Sequence, residues 1–181
     1  MPRAAKRKRA SRPAQTPRKS WNWKRVLRWT LWALAACYGL LAIFVLLLRW
    51  IDPPTTAVQI ERRIDASIQH RPYRKRYAFV PLGKISPHLQ HAVVAAEDAR
   101  FFHHHGFDWK EIGNAMEQDL GDGRKRGAST ITQKLARNLF LATSRSVVRK
   151  GLEFSIVPLL EGILSKGRIL ELYLNVIEWG P

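Results

Sequence analysis

The longest apolar stretch in the chain runs from Trp29 to Leu48 without a charge or a proline. At 1.5 Å per residue, a helix of this length spans the roughly 30 Å hydrocarbon layer of a bilayer. Trp21 and Trp50 near its two ends suit the membrane interfaces. The pattern predicts one transmembrane helix over residues 29–50. A cleaved signal peptide is the alternative, disfavoured because the apolar run is longer than such peptides use.

The pattern after this segment changes twice. Residues 51–76 mix prolines and charges, which predicts a stalk, and the apolar run from Tyr77 to Leu82 predicts one short strand. From Ser86 onward, apolar positions recur at helical spacing, so we expect a mainly α outer domain over residues 77–181. Predicted helices start at Ser86, Asp108, Ser129 and Ser146, with a fifth over 169–177; their apolar stripes include Leu89, Val93 and Ala96; Trp109, Ile112 and Met116; Ile131, Leu135 and Leu139; and Leu152, Ile156, Leu159 and Ile163.

The strong positive charge of the chain lies mostly in its N-terminal tail. The chain has 31 Lys+Arg against 14 Asp+Glu, and residues 1–28 contain eleven basic residues and no acid. Such a tail is expected to be disordered and to lie against anionic lipid headgroups. Seven basic residues precede the span within twenty positions and three follow it, which predicts a cytoplasmic N-terminus. Nucleic-acid binding is the disfavoured alternative, because no nucleic-acid-binding motif accompanies the tail.

Cysteine usage removes several classes of chemistry. Cys37 is the single cysteine and lies within the apolar segment. An internal disulfide, a cysteine-based zinc site and a thiol nucleophile in the outer domain are therefore excluded.

Two carboxylates carry the candidate chemistry. On a helix, Glu97 has Val93, Val94 and Phe101 at −4, −3 and +4, an apolar wall of the kind that favours a general base or acid. Glu153 has Arg149 and Lys150 at −4 and −3, so it would pair with cations and orient them or a metal. This division of labour is the one that glycosyl chemistry uses. An exposed glutamate and a solvated salt bridge are the respective alternatives.

Two further clusters are less specific. His103, His104 and His105 are consecutive, so they are not expected to aim at one ion, and His104 is expected to bond within the turn that ends at Gly106. A basic run surrounds the predicted helix start at Ser129, and this combination suits a phosphate or diphosphate, with a solvated charged face as the alternative. The run comprises Arg124, Lys125, Arg126, Lys134, Arg137, Arg145, Arg149 and Lys150.

Four motifs, in order, resemble the glycosyltransferase domain of peptidoglycan polymerases in its monofunctional form, the biosynthetic peptidoglycan transglycosylases. The resemblance covers roughly residues 77–181, and four long motifs in order are highly specific. The motifs are EDARFFHHHG from Glu97, GASTITQKLARNLF from Gly127, Arg149-Lys150-x-x-Glu153, and Ser165-Lys166-x-x-Ile-Leu-Glu171-x-Tyr173-Leu174-Asn175.

The resemblance implies a lysozyme-like, mainly α domain with a membrane-touching subdomain around residues 107–127, anchored in a bacterial inner membrane with its catalytic domain in the periplasm. It implies polymerisation of lipid II into β-1,4 glycan with inversion and release of undecaprenyl diphosphate. Glu97 would be the base, and Glu153 would position the diphosphate or a divalent cation (Mg²⁺ or Mn²⁺). No cofactor is required. The implied partners are lipid II, the growing glycan, the membrane and other cell-wall and division proteins, with no nucleic acid.

The resemblance also assigns roles to the remaining motif residues. The family usually has Gln where this chain has Lys134 and often Lys where it has Arg137, and both changes keep or add positive charge. Ser129, Gln133, Lys134, Arg137, Arg145, Arg149 and Lys150 would line the cleft and diphosphate site, whereas Asp98, Phe101, His104, Gly106, Thr130, Asn138, Glu171 and Asn175 would be structural.

The chain stops at Gly180-Pro181, where the family continues, so a C-terminal truncation is expected. Two other functions remain open. One is a lysozyme-like enzyme that cleaves glycan, and the other is a non-catalytic scaffold that binds lipid II or partner proteins.

Overall fold

The computed structural model describes residues 22–75, 77–122, 128–141 and 146–177, with the side chains of residues 118–122 outside the described set. Within these ranges the chain forms seven α-helices and no strand, which confirms the mainly α prediction. The helices are α1 Trp23–Leu47, α2 Ala57–Ile68, α3 Pro87–Glu97, α4 Trp109–Asp122, α5 Ile131–Phe140, α6 Val147–Ile163 and α7 Lys166–Val176, with short 3-10 turns at Leu82–Lys84 and Phe101–His103.

The chain divides into two compact units, with the boundary after Tyr38. In the first unit, helix α1 presents exposed apolar side chains, among them Trp29 and Trp32. The whole helix is long and apolar enough to cross a membrane. It begins at Trp23 and ends at Leu47, whereas the apolar run predicted residues 29–50. The difference arises because good helix formers such as Lys24 and Arg25 extend the helix beyond its apolar part.

The core of the second unit surrounds α5. This helix packs against α2, α6 and α7 and buries most of its own residues, including Ile131 and Leu135. The last turns of α1 belong to the same core, since Val45 is fully buried and the ring of Phe44 meets Phe140 edge-on at 5.6 Å. The sequence of α5 is amphipathic, which alone predicts one buried face. In the structure, neighbouring helices cover it on several sides.

The predicted stalk contains an unpredicted helix, α2. Thr56 caps it by accepting a hydrogen bond from the backbone N–H of Gln59 at 3.2 Å, and Val58 is buried. The Tyr73 hydroxyl donates to the carbonyl of Gln59 at 3.3 Å, which ties the return segment to the helix. Ile60, Ile64 and Ile68 recur at a helical spacing of four, a signal that the stalk prediction passed over. In the structure all three are exposed.

The predicted strand over Tyr77–Leu82 is wrong. The segment is extended, but side chains of α7 satisfy its backbone in place of a second strand. The N–H of Val80 donates to Asn175 Oδ1 at 2.6 Å, and Asn175 Nδ2 donates back to the carbonyl of Val80 at 2.9 Å. The N–H of Leu82 donates to Glu171 Oε1 at 2.7 Å. Glu171 and Asn175, for which the resemblance implies a structural role, thus bond the extended segment to α7.

The helix starts are mostly as predicted. Asp108 and Ser146 accept hydrogen bonds from the N–H groups of residues 111 and 149. Helix α5 is capped by Thr130 rather than Ser129, one residue later than predicted. Ser86 occupies the cap position of α3 without a side-chain bond. Helix α7 begins at Lys166 and not at 169, because Ser165 caps it.

The apolar stripes are predicted less well than the helix starts. On α6 the buried face runs through Glu153, Ile156, Val157 and Leu160, while Leu152 is exposed. This face is rotated from the predicted one, and the buried Glu153 carboxylate on it is paired with Arg149 and Lys150 of the same helix. Other members of the predicted stripes are also exposed, namely Leu89, Ala96, Trp109 and Met116.

Among the glycines of the described residues, Gly106 is the one whose conformation and close neighbours exclude a side chain. Its φ of +86° lies in the left-handed region, and an added Cβ would lie 2.3 Å from Cγ1 of Val157. Its carbonyl accepts a hydrogen bond from the hydroxyl of Thr130 at 2.6 Å. A side chain at this position would therefore push apart the turn after α3 and the buried face of α6.

We predict that Gly106→Ala lowers the free energy of unfolding by about 2 kcal/mol or more, because it combines backbone strain with overpacking. Gly162→Ala on α6 is the matched control, since an added Cβ there would meet no atom within 4 Å. The control should stabilise slightly, as expected for glycine in a helix. Chemical denaturation of both variants in detergent checks this, and equal effects would contradict it.

Candidate active site

A buried carboxylate, Asp98, joins the end of α3 to the start of α5. Its Oδ2 accepts a hydrogen bond from the N–H of Ile131 at 3.0 Å, and its Oδ1 lies 2.9 Å from His104 Nε2. The side chains of Asp98 and His104 are both almost fully buried. His104 therefore bonds within the turn as predicted. The helix dipole also favours an acidic group at the start of α5. Because these bonds hold Asp98 in place, they also fix the position of its neighbour Glu97.

The start of α5 is held by a second set of bonds. Thr130 and Gln133 form a capping box in which the Thr130 hydroxyl accepts from the N–H of Gln133 and the Gln133 side chain accepts from the N–H of Thr130 at 2.9 Å. Gln133 is expected from the resemblance to line the substrate cleft. In the structure it is buried, and its side-chain oxygen is engaged in this cap.

Glu97 is the last residue of α3 and is partly exposed. Its carboxylate Oε2 forms an ion pair with Lys134 Nζ of α5, and the same ammonium lies 3.4 Å from the Glu97 carbonyl oxygen. The apolar wall expected around it is not formed, because Val93 and Phe101 turn into the core while Glu97 faces outward. A cation from a neighbouring helix takes the place of the predicted apolar neighbours.

A cavity of about 170 Å³ opens beside Glu97. Ser129 and Thr130, just before α5, form part of its wall, so the start of α5 and the Glu97 carboxylate face the same space. The described lining does not include Glu153. The lining residues are Ala95, Ala96, Glu97, Asp98, Ala99, Arg100, Asp108, Glu111, Ala128, Ser129 and Thr130.

Tyr173 of α7 lies behind this site. Its ring is fully buried, and among the described residues its hydroxyl has no hydrogen-bond partner. Burial and then the negative charge of Glu97 raise the pKa of the Tyr173 hydroxyl well above its ordinary value, and the positive charge of Arg137 partly opposes them. The charges of Glu97 and of Arg137 on α5 therefore both act on the pKa of the Tyr173 hydroxyl. Tyr173 belongs to the fourth motif, but the sequence assigned it no role of its own.

Glu153 forms the second carboxylate site, as its spacing predicted. It is buried on α6, with Oε1 at 3.1 Å from Arg149 Nη1 and Oε2 at 2.6 Å from Lys150 Nζ. Arg149 keeps a buried Nε without a partner among the described residues. Lys150 also lies over the ring of Phe154, which stacks on Phe107 at 4.6 Å and links α6 to the segment before α4.

The other predicted residues are distributed over the fold. Asn138 is buried on α5, and Phe101 is fully buried against His104. Arg137 lies on α5, three residues after Lys134. Arg145 and the basic residues 124–126 lie outside the described residues.

One group of side chains brings potential metal ligands together. Asp98, His104 and Asp108 each place one ligand atom within 4.8 Å of the others. Each is already engaged: Asp98 with His104 and the start of α5, and Asp108 with Arg100 Nη1 at 2.9 Å and the N–H of Glu111. The cationic guanidinium in this set opposes a second cation, so we interpret the group as a structural network.

Comparison with known proteins shows the family of this chain. Residues 64–181 match the family model described as Transglycosylase, and the chain belongs to this family. It is 43% identical to a biosynthetic peptidoglycan transglycosylase of Laribacter hongkongensis, over 86% of this chain and 72% of that protein. The proteins of the same name from Pseudomonas syringae pv. syringae and Pseudomonas aeruginosa are 42% and 40% identical, over 86% and 87% of this chain and 64% and 66% of their own lengths. The chain thus spans about two thirds of the length of these relatives.

We predict that Tyr173→Phe leaves the melting temperature unchanged or raises it near pH 7, because no hydrogen bond is lost. The raised pKa of the Tyr173 hydroxyl keeps it protonated in the folded state above about pH 10, where the unfolded chain ionises, so the wild type loses stability as the pH rises beyond that value. The variant should therefore lose less stability above pH 10 than the wild type does. Thermal melting at pH 7 to 11 in detergent checks both points; a strong destabilisation at pH 7 would show that the hydroxyl is bonded.

Proposed function

We propose that this chain is a peptidoglycan glycosyltransferase that polymerises lipid II into β-1,4 linked glycan. The growing strand, carried on undecaprenyl diphosphate, is the donor, and the 4-hydroxyl of the incoming lipid II is the acceptor. The new bond joins the acceptor oxygen to the anomeric carbon, whose bond to the diphosphate oxygen breaks. The configuration inverts, and undecaprenyl diphosphate leaves with the electron pair.

The observation that carries the proposal is the position of Glu97. Its carboxylate lines a cavity that is also lined by Ser129 and Thr130 just before α5, and cationic Lys134 and Arg137 follow on that helix. In this role Glu97 takes the proton of the acceptor hydroxyl as the oxygen attacks. General-base assistance of this kind contributes about 10² to 10⁴-fold to a rate.

The cations supply the second requirement of the reaction, which is to stabilise charge on the leaving diphosphate. Lys134 and Arg137 on α5 and Arg149 and Lys150 on α6 are the described cations assigned to this task, with Ser129 as a neighbouring polar contact. Glu153 holds Arg149 and Lys150 in place through its two oxygens.

No cofactor is needed for this scheme. Mg²⁺ or Mn²⁺ would bind to a carboxylate, but both oxygens of Glu153 already pair with cations. The donor set therefore does not fit a metal unless Lys150, the more exposed partner, moves away.

The location proposed for the chain follows from its substrate. A lipid-borne donor stays in the bilayer, so an enzyme that extends it gains from its own membrane helix. Helix α1 supplies a candidate span. The basic residues before it support a cytoplasmic N-terminus, with the catalytic domain in the periplasm of an inner membrane. The glycan strand and other cell-wall and division proteins are the proposed partners.

We predict that Glu97→Gln lowers the polymerisation rate by about 10² to 10⁴-fold while leaving the melting temperature nearly unchanged, because the carboxylate is partly exposed. Glu117→Gln, the same change at an exposed position on α4 outside the cavity lining, should keep wild-type activity. Fluorescent lipid II is incubated with the full chain in detergent, and the products are separated on a gel.

The outcomes separate the other candidate functions. Near wild-type polymerisation by Glu97→Gln would remove Glu97 from the mechanism. Cleavage of lipid-free glycan by the wild type would favour a lysozyme-like hydrolase. Binding of lipid II without polymer by the wild type and both variants would favour a scaffold.

A further inference from the structure

The ammonium of Lys134 is engaged by the residue proposed as the base. It forms an ion pair with Glu97 Oε2 and approaches the Glu97 carbonyl at 3.4 Å. A carboxylate that accepts a proton loses the attraction of such a partner, so this ion pair opposes the proton transfer proposed for Glu97. The contact seen in the structure is therefore suited to the state without substrate and unsuited to the reacting state.

The same cation has a second partner available in the proposed reaction. Lys134 and Arg137 are three residues apart on α5 and therefore lie on one face of the helix. The field of Arg137 reaches Tyr173, as does that of Glu97, so the two charges lie around one buried hydroxyl. A diphosphate at Arg137 would bring two or more negative charges within reach of the flexible Lys134 side chain.

The ion pair between Glu97 and Lys134 can change partners without disturbing the fold. The side chain of Glu97 is 38% exposed and that of Lys134 20%, so water screens the pair and can replace either partner. The neighbouring Asp98 and His104 side chains are 3% and 7% exposed, and their separation would leave a buried charge. Two contacts at adjacent residues, Glu97 and Asp98, thus differ sharply in how readily they open.

We infer that Lys134 exchanges partners, pairing with Glu97 in the empty site and with the donor diphosphate in the occupied one. Lys134 is then a positioning residue that frees the base only when the donor is in place. The inference rests on the proposed function and adds an order of events to it. It also gives Lys134 a role that Arg137, which has no ion pair with Glu97 among those described, does not share.

The test is a double-mutant cycle in which the affinity for pyrophosphate is measured and no catalytic turnover is needed. Inorganic pyrophosphate is titrated calorimetrically into the full chain in detergent, for the wild type, Glu97→Gln, Lys134→Gln and the double variant. If Glu97 competes for Lys134, Glu97→Gln should tighten pyrophosphate binding by about threefold to tenfold. In the Lys134→Gln background, the same change should alter the affinity by less than about twofold.

Three controls make the result specific. Glu111→Gln removes a carboxylate that lines the same cavity, so any tightening that it causes should be equal with and without Lys134. Lys134→Arg keeps a cation and should preserve the coupling with Glu97. The melting temperature of each variant shows that the fold is intact.

Two results would overturn the exchange: equal tightening by Glu97→Gln in both backgrounds, or no pyrophosphate binding by any variant. The polymerisation gel, run on the same wild-type preparation, judges the proposed function separately. Polymer without coupling means that the function stands and the exchange is wrong. Coupling without polymer means that the exchange is supported and the catalytic proposal fails.

Discussion

The buried carboxylate of Asp98 is the interaction on which the candidate site depends. One oxygen receives the N–H of Ile131 at the start of α5 and the other meets His104, so a single side chain joins the end of α3, the following turn and α5. Burial makes each bond expensive to lose, because an unpaired carboxylate in the interior has no water to replace its partner. Glu97 is adjacent to Asp98 in sequence, and its place beside Lys134 follows from this junction.

The two candidate carboxylates are controlled by different means. Glu153 is buried and its two oxygens meet two cations of its own helix, so its orientation is fixed locally. Glu97 is partly exposed and meets a cation of another helix, so its partner depends on tertiary packing and can be replaced. A fixed carboxylate suits the positioning of cations, and a replaceable ion pair suits a group that has to change its protonation state during a reaction.

Local signals explain what could be predicted from the sequence. The caps at Asp108 and Ser146 and the ion pairs of Glu153 depend on residues three or four positions apart, which a sequence displays directly. The wrong or missing features depend on distant residues. The segment before Leu82 is satisfied by side chains of α7 rather than by a strand, and Lys134 reaches Glu97 from a helix that begins 34 residues later. The resemblance to the family assigned Glu97 and Lys134 to one site, but it did not indicate which side chains are in contact.

Arg168 shows how the end of the apolar helix is connected to the catalytic core, a connection that no sequence pattern indicated. Its guanidinium donates to the carbonyls of Leu48 and Ile51 and pairs with Asp52 and Glu171, while Leu48 itself is buried. Burial works to lower the pKa of Arg168, but its hydrogen bonds to Glu171 and Asp52 outweigh this effect and raise the pKa. The charge is therefore fixed. Since Glu171 also holds Leu82, one cation links the exit of α1, helix α7 and the segment that leads into α3, at whose end Glu97 lies. Whatever fixes the last turns of α1 would thereby also limit where Glu97 can lie.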